Sequence, residues 1–88
     1  MGNETFIDFC KQLVTAYVTE QAGEPVITED AVFCVWLSKA LQNNKALLST
    51  TLSDGMYYEI TFNGDKGEAY FDAYKKIENR AIKLDLKK

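Results

Sequence analysis

Few residues in this chain can do chemistry. Cys10 and Cys34 do not form a Cys-x-x-Cys motif, and histidine is absent. Without an imidazole no Ser-His or Cys-His nucleophile can assemble, and the commonest metal ligand is missing. Both cysteines fall in apolar stripes of helical spacing, where a thiol acts as a small buried hydrophobe. Glu59, Glu68 and Asp72 could in principle pair as acid and base. Proton transfer needs a cavity that shifts their pKa values, and an exposed carboxylate is simply ionised. Gly64, Lys66 and Gly67 lack the spacing and the following helix of a phosphate loop. The expectation is a non-enzyme without metal or cofactor.

Two groups of residues suit binding instead. Asn63-Gly64-Asp65-Lys66-Gly67 is a hairpin turn signal with glycine available for positive φ. A two-residue loop at Gly64-Asp65 pairs Phe62 with Gly67, Ile60 with Ala69 and Tyr58 with Phe71. A register shift by two changes partners but not faces, because strand side chains alternate. One face then carries Tyr58, Ile60, Phe62, Ala69, Phe71 and Ala73. The other carries Tyr57, Glu59, Thr61, Glu68, Tyr70, Asp72 and Tyr74. Tyrosine gives large contact area at low entropic cost, and carboxylates beside it suit a basic partner. Tyr57, Glu59, Tyr70, Asp72 and Tyr74 are therefore the candidate partner-binding residues. A second group, Lys39, Asn43, Asn44 and Lys45, sits in a polar run ending at Thr51 and could hydrogen-bond a small ligand.

The elements that position these groups follow from periodicity. Asn3 is a candidate N-cap, and Phe6, Cys10, Leu13, Val14, Tyr17 and Val18 recur at helical spacing until Gly23 and Pro25. Thr28 is a second candidate cap, followed by the broad apolar stripe Val32, Val35, Trp36, Ala40 and Leu41, which places Trp36 in the core. Asn43-Asn44 supplies a stop. The expected elements are helices over about 4–22 and 29–43 and strands over 46–52, 56–62 and 68–77, with 80–86 as an optional fourth. That is one α+β domain over 1–88, two N-terminal helices packed on one face of a three- to four-stranded antiparallel sheet.

Composition sets the outer bounds. The chain has 88 residues, of which 47% are hydrophobic and 26% charged, as in ordinary globular domains. A net charge of −3 disfavours general nucleic-acid binding. The charge is polarised: residues 1–34 hold six acids and one base, and residues 75–88 hold six bases and two acids. The sequence shows no basic-apolar leader and no run long enough to span a bilayer, so a cytoplasmic location with free thiols is expected.

The segment Val35-Trp36-Leu37-Ser38-Lys39-Ala40-Leu41-Gln42-Asn43-Asn44-Lys45-Ala46-Leu47-Leu48-Ser49-Thr50-Thr51 continues through Asp54-Gly55-Met56-Tyr57-Tyr58-Glu59. It runs on to Asn63-Gly64-Asp65-Lys66, Asp72-Ala73-Tyr74-Lys75-Lys76 and Glu78-Asn79. Over about residues 30–84 this pattern resembles an uncharacterised family of short proteins from phages and prophages of low-GC Gram-positive bacteria. The resemblance implies a genomic setting, the cytoplasm of a bacterial host, and no transferable activity. In that setting the leading expectation is an accessory protein that binds a host or defence protein stoichiometrically. The alternatives are a homo-oligomeric sponge for a nucleotide signal and a structural homo-oligomer, such as a homodimer.

Overall fold

A computed structural model describes residues 1–85. It contains helix α1 (Asn3–Ala22), a 3₁₀ turn (Glu29–Ala31), and strands β1 (Val32–Ala40), β2 (Asn43–Thr50), β3 (Met56–Asn63) and β4 (Glu68–Lys75). The strands form one antiparallel meander in the order β1-β2-β3-β4.

Helix α1 places Phe6, Cys10, Val14 and Val18 on one line, and all four are buried. That stripe packs on Val32, Ala46, Leu48, Tyr58 and Ile60 from the facing side of the sheet. Each large apolar side chain so buried contributes about 1.5–3 kcal/mol. Tyr17 extends the contact outward, its ring centroid 5.7 Å from that of Tyr58 and 5.1 Å from that of Phe71. The helix ends where Gly23 takes a left-handed φ of 78° and donates its N–H to the Thr19 carbonyl. The N-cap is Gly2 rather than Asn3, with no side-chain capping bond.

The expected second helix over 29–43 is not there. Its first residues make the 3₁₀ turn, and the rest is β1, paired along its length with β2. The register of that pairing slips between Cys34 and Trp36, leaving a bulge at Val35. Val32 and Cys34 are inward before the bulge and Leu37 after it, so the inward positions step by three across it. That step imitates helical spacing in a segment whose Val, Phe and Trp content favours a strand. Asn43-Asn44 accordingly begins β2 instead of ending a helix. The fold is thus one main helix and a 3₁₀ turn against a four-stranded sheet. The optional strand over 80–86 is absent through residue 85, and Leu86 lies outside the described residues.

The β3–β4 connection is a four-residue loop, 64–67, with Asn63 opposite Glu68. The expected two-residue loop is therefore corrected by two positions. The two faces remain as the parity argument set them. Asn63 Oδ1 accepts the N–H groups of Asp65 (3.1 Å) and Lys66 (3.3 Å), and Gly67 closes the turn at φ 66°.

Candidate functional site

An antiparallel sheet has two faces, and α1 covers only one of them. No described element covers the other. Cross-strand register places Phe33, Ser49, Tyr57 and Tyr74 in one row of that bare face. Trp36, Leu47, Glu59 and Asp72 form the next row, and Ser38, Lys45, Thr61 and Tyr70 the one beyond. The first two rows make a patch of Phe33 (47% exposed), Trp36 (41%) and Tyr74 (52%) with the half-buried Leu47 and Tyr57. Leu47, Tyr57, Tyr74, Lys75 and Lys76 line a shallow hollow of about 420 Å³ there. The Lys76 ammonium sits 5.7 Å from the centroid of the Tyr57 ring.

All five candidate partner-binding residues, Tyr57, Glu59, Tyr70, Asp72 and Tyr74, lie on this bare face. They are not equivalent. Glu59 is half-buried and paired with Lys45 at 3.6 Å. The Tyr70 hydroxyl donates to Glu68 at 2.7 Å, and that bond to a carboxylate raises the phenol pKa. Asp72 stands directly across from Glu59. The carboxylates of Glu59 and Asp72 therefore share a row with Trp36 and Leu47, and Tyr70 lies beyond them beside Glu68.

The second candidate set is only partly brought together. Asn43, Asn44 and Lys45 line a depression of about 270 Å³ with Ser38, Ala40 and Thr61. Lys39 does not line it but stands directly across from Asn44 on the helix side, with its ammonium on the Met1 carbonyl at 3.0 Å. The Asn44 amide donates to the same carbonyl at 3.3 Å from a fully buried position. Its Oδ1 has no hydrogen-bond partner. Lys39 and Asn44 thus tie the start of α1 to the sheet.

Phe33, Trp36 and Leu47 are site residues that sequence reasoning missed. Trp36, expected in the core, is exposed because β1 is a strand whose outward positions follow the bulge. The signal available was the β-branched and aromatic run Val32–Trp36. Cys10 is buried and its thiol is pushed up to about 12, by desolvation first and by the neighbouring Cys34 second. Cys34 is partly exposed, and its Sγ donates to the Trp36 carbonyl at 3.1 Å. Among the described residues no cluster of three or more His, Cys, Asp or Glu could hold a metal ion, and no helix is long and apolar enough to cross a membrane.

A family model described as a family of unknown function (DUF6275) matches residues 7–84. The chain belongs to that family. The match takes in most of α1 as well as the whole sheet, a wider span than the resemblance over residues 30–84. No curated protein and no solved structure matches the chain.

Proposed function

We propose that this protein is a non-enzymatic binding module whose bare sheet face docks a protein partner stoichiometrically. The observation that supports this most is the aromatic patch of Phe33, Trp36, Leu47, Tyr57 and Tyr74 on a face that no described element covers. A contiguous apolar patch rimmed by polar residues is the usual form of a protein-binding surface. Four strands about 4.8 Å apart and eight residues long give a face of order 500 Å² in projection, comparable to the roughly 800 Å² that one partner of a standard interface buries. The partner that fits presents an apolar projection to the hollow beside Tyr57 and Tyr74 and basic groups to Glu59 and Asp72. With the phage or prophage setting that the sequence pattern suggests, that partner is a host or defence protein met in the bacterial cytoplasm.

The test is capture from cells of the native host with tagged wild type, Trp36→Ser/Tyr74→Ser, and a control substituted at exposed Gln21 on α1. The expected result is one co-purifying protein, lost in the sheet-face variant and kept in the control. Undiminished capture by a folded Trp36→Ser/Tyr74→Ser protein would refute the assignment.

A further inference from the structure

We propose that residues 80–85 of one copy add as a fifth strand to the outer edge of β4 in a second copy, reciprocally, forming a two-fold dimer. This goes beyond the bare-face reading and does not depend on it.

The segment after β4 is apolar in the wrong place for a lone chain. Ile77, Ile82 and Leu84 are 96%, 73% and 73% exposed. Ile82 and Leu84 alternate with Ala81 and Lys83, the period of a half-buried strand. The radius of gyration is 15.6 Å, whereas a compact domain of this length has about 12 Å, in keeping with a segment held off the body. The segment also does not use its own sheet edge. The Lys76 N–H bonds the Gly55 carbonyl at 2.7 Å, carrying the β3–β4 ladder one step past Lys75. Beyond it Glu78 and Arg80 form an ion pair, and no described residue beyond β4 pairs with its outer edge.

That edge is a suitable acceptor. It runs eight residues without a bulge, whereas the edge strand β1 is interrupted at Val35. On the helix side of the sheet, β4 presents exposed Ala69 and Ala73 flanking half-buried Phe71. These small residues leave a shelf for Ile82 and Leu84 beside the Phe71 ring. The same orientation turns Ala81, Lys83 and Asp85 to the bare side, where β4 carries Glu68 and Asp72. Burial of the two aliphatic side chains, rather than charge, therefore selects the orientation. In a two-fold pair each copy gives one strand and receives one, so the interface closes and stops at two.

The experiment is sedimentation equilibrium from about 5 to 200 μM on four samples. They are wild type, a segment variant (Ile82→Asp/Leu84→Asp), an edge variant (Ala69→Lys/Ala73→Lys) and an equimolar mixture of the two variants. The expected result is a concentration-dependent wild-type dimer and two monomeric variants that keep the wild-type circular dichroism. The mixture regains some dimer, because one intact strand–edge pair is restored. A monomeric wild type across the range overturns the proposal. So does a dimer that persists in both variants, which would place the contact between copies elsewhere, such as on the bare face.

Discussion

Cys10 offers a quantitative check on how α1 is seated. Its thiol is fully buried against the sheet, and burial raises its pKa from 9.0 to about 12. Below pH 9 the folded and unfolded states are both protonated, so the group adds nothing to the pH dependence. As pH rises past 9 the unfolded thiol ionises while the folded one does not, and stability falls until both ionise near pH 12. At pH 10 that loss is about 1.4 kcal/mol, and it approaches about 4 kcal/mol only above pH 12. Other groups raised in the fold, Cys34 and Tyr58 among them, add to the raw alkaline slope. Urea unfolding of wild type and Cys10→Ala at pH 7.5 and pH 10 cancels most of their contribution. Removing the buried sulfur costs about 1 kcal/mol at neutral pH. The wild type should then lose about 1.4 kcal/mol more than the variant on going to pH 10, so the two curves cross and the variant becomes marginally the more stable. Equal losses in the two proteins would mean that the thiol is solvated and that α1 does not sit on β1 and β2 as described.

Three further outcomes follow from particular contacts. A Cβ at Gly64 would run into the Gln42 carbonyl, to which the Gly64 N–H also bonds at 3.1 Å. Gly64→Ala should therefore cost about 1–3 kcal/mol in chemical denaturation by pushing the two hairpin tips apart. Leu41 occupies the first position of the β1–β2 loop at φ 56° and is 93% exposed. A left-handed conformation costs a branched residue about 1–2 kcal/mol, so Leu41→Gly should leave stability unchanged or raise it by up to about 1 kcal/mol in the same assay. Tyr58 and Tyr74 lie on opposite faces, 1% and 52% exposed. Tyr58→Ala should cost about 3–5 kcal/mol and Tyr74→Ala less than about 1 kcal/mol by thermal unfolding, and comparable losses would mean that the outer face is buried.

Legibility in the sequence followed how local each signal was. The α1 stripe of Phe6, Cys10, Val14 and Val18 repeats at four-residue steps within one element, and it needed no tertiary information. The two faces of the β3–β4 hairpin were readable because parity survives an error in loop length, even though the loop has four residues rather than two. β1 was not readable because its apolar run continues almost without a polar break. The bulge at Val35 then put the inward residues Cys34 and Leu37 three apart. That one error put Trp36 in the core and left Phe33 unnoticed, whereas both stand on the bare face. The separation of Lys39 from Asn43 and Lys45 could not be read either, since it follows from the β1–β2 register, which sets Lys39 across from Asn44 on the helix side and leaves Asn43 and Lys45 on the other.

Face-resolved photo-crosslinking in living cells tests the central claim most directly. A photoreactive phenylalanine analogue at Trp36, at Tyr74 or at Gln21 samples the bare face twice and the helix once. The account predicts a crosslink to the same protein from positions 36 and 74, with none from position 21. A crosslink from position 21 with nothing captured at 36 or 74 would contradict it and move the binding surface to the helix.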